Sequence, residues 1–495
     1  MESNNNSASN NTTKIVGGII AVLLCCACLV IAAAGYVIYQ ASQNIPTDFP
    51  LPPIDTFETP LPTPEIERPS TDTISTETLE TLDHTLVPEN NPYELTCRLQ
   101  AICDVPTNVP AKQYKVGDKE KFWISNSDTA EHFQIDVTLL YITPHSYFWA
   151  EDGSNVNKAD MKALMDEFEN KIYPTDREFF GSEANPGIDG DPHIYVIYAG
   201  NLGTNIGGYY NSSDGFSPLV NEFSNAHETY VLVNTQPLGD QYAYGTLAHE
   251  FVHMIQNASD RNDVSWLNEG FAEVGAFLNG YDIGGADWLY VQNPDIQLNA
   301  WADNTSPDFS SHYGQSFLYL TYFLDRFGEE ATKALTNNPA NDLTSVDDTL
   351  AQLNITDPQT GQLITADDVF IDWAATLYLM DESVGDGRYV YKNYPDAPQV
   401  TASESISTCP DSTSGSVNQY GIDYYTINCV GDYTIQFNGS TIVGLLPTEA
   451  NSGGFTFWSN LGNESDMTLT REFDLTNVSG PVTLSYSMWY DIEEN

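Results

Sequence analysis

Residues 249–253 read His-Glu-Phe-Val-His, and sixteen positions beyond His253 the run SWLNEGFAE at 265–273 supplies Glu269. These two segments constrain the fold more than anything else in the chain. On a helix, residues i and i+4 share a face, so His249 and His253 can meet one cation while Glu250 reaches a water held there. Leu247, Phe251, Met254 and Ile255 recur near helical spacing, and neither proline nor glycine interrupts 246–258, so a helix is predicted there. Two imidazoles do not complete a zinc site, which needs further protein ligands. Glu269 is the natural third if the chain turns after His253 and lays a second helix beside the first. Three protein ligands leave one position open for water, the arrangement of a hydrolytic rather than a structural zinc. A third histidine six positions after His253 would be the alternative, but Ser259 stands there, and Gln256 replaces the glycine such a motif requires. A helix whose histidines merely serve polar neighbours is the plainer reading, and it leaves the 265–273 run without a purpose.

On these residues the chain resembles the glutamate-ligand zincins, the gluzincins, and is similar to the hyicolysin and immune-inhibitor-A-like secreted bacterial metalloproteases. The similarity runs from about residue 116 to the end and includes NPGIDGDPH at 185–193 and HYGQSFL at 312–318. It implies an α+β zincin-like catalytic domain, with a mixed sheet above and helices below, one catalytic Zn2+, and protein or peptide substrates. In such enzymes Glu250 is the general base. A tyrosine placed like Tyr313 stabilises the oxyanion, with the neighbouring His312 as the other candidate. Aminopeptidases of the same clan share the Trp-Leu-Asn-Glu-Gly run but carry a Gly-x-Met-Glu-Asn segment for the substrate amine. This chain has none, which favours an endopeptidase over a zinc aminopeptidase. A catalytically silent cell-surface binding or adhesion protein on the same scaffold is a further alternative, and intact Glu250 argues against it.

Glu273 lies four residues after Glu269 on the same helical face and reads either as an acceptor that orients a ligand histidine or as a surface glutamate. Asp189-Gly-Asp191 offers oxygens to Ca2+ but lacks the spacing of an EF-hand loop, and it fits a turn before a strand. His227 and Glu228 have no second histidine at i+4 and read as structural.

The chain carries 17 basic against 69 acidic residues, a net charge of −52. Such a surface repels phosphate backbones, so nucleic acid is excluded as a partner. Residues 15–39 form an apolar run free of charge and long enough to span a bilayer. With Lys14 before the run and Arg68 the next basic residue after it, residues 1–14 are expected inside and the bulk of the chain at the cell surface. The run is longer than the apolar region of a signal peptide and reads as an uncleaved anchor; cleavage after Ala34 would instead give a secreted protein.

Residues 40–93, rich in proline, threonine and acids, form a stalk that can bury no core. Beyond it come a small β module at 94–152, the catalytic domain at 153–400 and an all-β sandwich at 401–495, jelly-roll-like and cut short or closed with few strands. Strands are expected at 121–125, 133–141, 193–198, 229–234, 423–427, 433–437, 455–458 and 482–490. Helices are expected at 158–172, 315–327 and 366–380. Outside the apolar run remain Cys97, Cys103, Cys409 and Cys429, for which the sequence-local pairings Cys97–Cys103 and Cys409–Cys429 are expected.

Overall fold

A computed structural model describes residue 81 and residues 85–490, apart from 205, 283, 303–305, 441–445, 447, 449, 454–455 and 460. All belong to the unit Ile74–Asn495. The apolar run at 15–39 and most of the 40–93 stalk lie outside the described residues. Among the described residues no helix is long and apolar enough to cross a membrane.

After a first helix, α1 (Pro92–Gln100), six strands form one sheet: β1 (Lys119–Asn126), β2 (Glu131–Ile142), β3 (Ser146–Glu151), β4 (Ile194–Ala199), β5 (Gly208–Tyr210) and β6 (Thr229–Val233). Their order is β1-β2-β3-β4-β6-β5. β3, β4 and β6 run parallel, while β1 and β2 on one side and β5 on the other are antiparallel to their neighbours. The parallel strands are buried along both faces, which is why they read as unbroken apolar runs such as IYVIYA. Phe148, Val196, Tyr198, Tyr230 and Leu232 point to the helical side. Their alternate neighbours Tyr147, Trp149, Tyr195, Ile197 and Val231 meet Phe122, Ile135 and Val137 in a second core beneath.

Between β3 and β4 lie α2 (Lys158–Glu167), a π-helical turn at Phe168–Ile172 and α3 (Tyr173–Phe180). After β6 the chain is helical: α4 (Gln241–Ser259), α5 (Ser265–Leu278), the short α6 (Ala286–Tyr290), α7 (Phe309–Leu335), interrupted at Gly328, α8 (Asp342–Gln352) and α9 (Ala366–Leu379). Two three-residue strands, β7 (Glu404–Ile406) and β8 (Tyr425–Ile427), pair in parallel. Disulfides join Cys97 to Cys103 and Cys409 to Cys429.

The described residues differ from two sequence expectations. The strands at 94–152 are not a separate module: β3 pairs with β4 from Ser146 against Ile194, so β1–β3 are the antiparallel half of the same sheet. Their alternating residues are buried because the lower core is shared. In the tail, the described residues of 430–490 carry no strand, and no sandwich is assembled among them. Ile435, Phe437, Leu484 and Tyr486 are exposed there. Alternation supplies an apolar face, but a face is buried only when a second sheet packs on it.

Candidate metal centre

α4 starts at Asp240, whose side chain accepts from the Tyr242 N–H, and ends at Asp260, where the backbone turns extended. Leu247, Phe251, Met254 and Ile255 are fully buried in the core on the helical side of the sheet, each contributing on the order of 2 kcal/mol. That leaves His249, Glu250 and His253 on another face. The chain reverses over 260–264 and returns as α5 along α4. Close approach of the helices depends on two glycines. A Cβ at Gly275 would lie 2.4 Å from Val252 Cγ2, and one at Gly270 would lie 2.7 Å from Leu320 Cδ1 of α7. α5 is thereby wedged between α4 and α7, with Trp266 Nε1 donating to Asp342 Oδ1 at 2.9 Å as an anchor at its start.

This wedge brings three side chains to one point. His249 Nε2 and His253 Nε2 are 3.0 Å apart, and Glu269 Oε2 lies 3.2 Å from the first and 3.3 Å from the second. A tetrahedron with ligand bonds of about 2.0–2.1 Å has edges of about 3.3 Å, so the triangle has the size of one face of a tetrahedral zinc site. Two imidazole nitrogens and one carboxylate oxygen are also the donor set a hydrolytic zinc takes. Among the described residues no other group of three metal-binding side chains converges in this way. The residues present therefore fit the ion.

Around the triangle, Glu273 Oε1 stands 3.5 Å from His249 Nδ1, the nitrogen facing away from the centre. Burial raises the Glu273 pKa to about 7, with His249 opposing and Glu269, Glu250 and Asp287 adding to the rise. Burial disfavours charging of His249, but its bond to Glu269 and the charges of Glu273 and Glu250 outweigh that and push it up to about 9. Binding of a cation therefore displaces a proton. Glu250 is buried, and its Oε2 accepts the backbone N–H of Tyr210 at 2.7 Å. Burial raises its pKa against the pull of the two histidines.

Tyr313 and His312 diverge at the start of α7. The Tyr313 ring lies 6.3 Å from that of His249, in an aromatic group with Trp301 and Phe309. Burial drives its phenol well above the usual range, and Glu269, Glu273 and Glu250 add to this, so the hydroxyl keeps its proton. His312 is buried against Trp301, its ring 5.4 Å away, and burial lowers its pKa.

The 189–191 segment is a turn. Asp189 accepts from the Asp191 N–H, the Tyr195 hydroxyl and His227 Nδ1, and Asp191 accepts from the Tyr147 hydroxyl and His193. His227 stacks on Tyr195 with ring centroids 4.0 Å apart. Glu228 is buried under the influence of Asp214 and is not one of the three converging residues. The Tyr210 N–H on Glu250 is a contact that sequence reading misses. A backbone donor carries no residue signal, and β5 is three residues long.

No protein-family model matches the chain. The neutral metalloprotease ShpI of Staphylococcus hyicus is 27% identical over 259 residues, a match that spans 46% of this chain and 56% of that protein. The chain thus covers little more than half the length of this curated relative. The likeness relates the chain to a metalloprotease.

Proposed function

We propose that the chain is a zinc-dependent endopeptidase of the zincin type, with His249, His253 and Glu269 as the ligands and Glu250 as general base. The observation that carries this reading is the triangle of donor atoms with edges of 3.0–3.3 Å, built on two adjoining helices with a buried carboxylate one residue along. The likeness to a metalloprotease supports it. The fold is consistent with it: a mixed sheet covers one side of the metal helix, and α5, backed by α7, covers the other.

When bound, zinc supplies Lewis acidity that makes water acidic and polarises a carbonyl. Everything else falls to the protein. Glu250, whose affinity for a proton is raised by burial, takes the proton from the attacking water and delivers it to the departing amine nitrogen. Tyr313, with its proton held by burial and three neighbouring carboxylates, donates to the oxygen that becomes negative as the carbonyl carbon turns tetrahedral. Glu273, 3.5 Å from His249 Nδ1, is placed to steady the ring with Nε2 toward the centre. β5 is the edge of the sheet beside α4, where an extended peptide would pair with edge groups other than the Tyr210 N–H, which Glu250 accepts. Peptides and proteins outside the membrane are the proposed substrates, and the apolar run at 15–39 is the proposed anchor.

The test is hydrolysis of a quenched fluorescent protein substrate by the purified chain, before and after chelation and with zinc restored. Loss on chelation and recovery with zinc are expected. Hydrolysis indifferent to a chelator that has removed all metal would end the proposal.

A further inference from the structure

β5 touches the metal helix more closely than an ordinary edge strand would. Gly208 and the preceding Gly207 allow this: a Cβ at Gly208 would lie 2.5 Å from Val231 O and 3.1 Å from Thr246 Cγ2, and one at Gly207 would lie 2.8 Å from Thr246 Oγ1. In an antiparallel ladder, successive residues direct their N–H groups alternately toward and away from the partner. The Asn211 N–H donates to Thr229 O and Gly207 O accepts from the Val233 N–H, so these residues face β6. Tyr210 therefore directs its N–H off the sheet edge, where such groups are ordinarily left to water. Here the N–H meets Glu250 Oε2 at 2.7 Å.

The same residue grips the helix a second time. Asn257 Nδ2 donates to the Tyr210 hydroxyl at 2.9 Å, and that hydroxyl points toward Glu228 Oε2 at 3.5 Å. Asn257 lies seven positions after Glu250, two turns along the same face of α4 and about 10 Å away along the axis. One tyrosine thus spans two points of one helix, its backbone on the carboxylate and its phenol on the amide. Burial keeps the phenol protonated and able to donate.

We propose that Tyr210 is a positioning residue for Glu250: the phenol, clamped by Asn257 and Glu228, fixes the backbone N–H on Oε2 and leaves the other carboxylate oxygen to handle the proton. The inference rests on the reading of Glu250 as the base. Tyr210→Phe removes the clamp and keeps the ring, and Asn257→Ala removes the clamp from the helix side without altering β5.

The experiment measures amide hydrogen exchange at position 210, resolved by residue, together with kcat and KM on a peptide substrate, in zinc-loaded full-length wild type and both variants. In both variants, amide 210 should exchange roughly tenfold faster, kcat should fall roughly tenfold, KM should stay within about twofold and zinc content should not change. A variant that fails to fold leaves the decision to the other. Wild-type exchange at amide 210 in both variants overturns the clamp. Faster exchange with wild-type kcat overturns the positioning role. If the wild-type chain hydrolyses no peptide, the peptidase reading falls separately, and exchange at amide 210 alone decides whether the clamp exists.

Discussion

Replacing Gly275 with alanine tests how the third ligand is placed, because the change lies six residues beyond Glu269 and touches no donor atom. The added Cβ would sit 2.4 Å from Val252 Cγ2, where carbon atoms settle at roughly 3.5–4.0 Å. Val252, stiff at χ1 on a helix, must therefore leave its rotamer or the helices must yield by about 1 Å or more. Overpacking of this kind costs about 1–3 kcal/mol, offset by roughly 1 kcal/mol from the helix preference of alanine, so the net loss of stability is about 0–2 kcal/mol. The larger effect falls on the ion. Zinc bonds tolerate about 0.2 Å, and a shift of α5 against α4 separates Glu269 from the histidines. Zinc affinity should fall at least about tenfold, or about 1.4 kcal/mol, in a competition titration against a chromophoric chelator. Val252→Ala removes the obstructing Cγ2, so Gly275→Ala combined with Val252→Ala should recover most of the affinity relative to Val252→Ala alone. Wild-type zinc affinity in Gly275→Ala, or no recovery in the double variant, would refute the wedge argument.

The remaining predictions concern individual side chains. Glu273→Gln should weaken zinc binding about tenfold in the same titration, as expected when the charged partner of a ligand histidine is neutralised; unchanged affinity removes Glu273 from that role. Tyr313→Phe should lower kcat by roughly 10²-fold with little change in KM, and His312→Gln should leave kcat near wild type. The reverse pattern would transfer the oxyanion role to His312. Glu228 is pushed up to about 8 from 4.5 by burial first and then by the charges of Asp214, Glu183 and Asp189. Its stabilising contribution is therefore complete below its unfolded value and is lost as pH rises through about 8. Glu228→Gln keeps the neutral shape, so urea unfolding should show a smaller loss of stability between pH 5 and pH 9 than in wild type, by an order of a few kcal/mol. Identical pH slopes would show that Glu228 does not titrate in this window.

Much of the centre was legible because its chemistry is encoded in side chains at fixed spacing. His249 and His253 are one helical turn apart, and the apolar positions of 246–258 set their face. β4 and β6 were legible as apolar runs, and β2 as an alternation. What was not legible depends on partners distant in sequence. β3 joins β4 across a helical crossover, so nothing local in residues 119–151 says that they belong to the same sheet as β4 and β6. β5 is three residues opening on a glycine and exists only through its ladder to β6 and its contact with Thr246. The Tyr210 N–H, the donor that holds Glu250, is backbone and invisible to any residue pattern. Conversely, the alternation at 433–437 and 482–490 resembles a strand but has no paired neighbour among the described residues, and its apolar side chains remain exposed.

The central claim is that a bound zinc and the carboxylate of Glu250 share the work of hydrolysis while only the former depends on His249, His253 and Glu269. The most direct measurement compares zinc content and turnover of a quenched protein substrate in wild type and Glu250→Gln, purified side by side. The account predicts one zinc per chain in both and a loss of turnover of roughly 10²–10⁴-fold in the variant. Glu250→Gln that carries its zinc and turns over at the wild-type rate would contradict it.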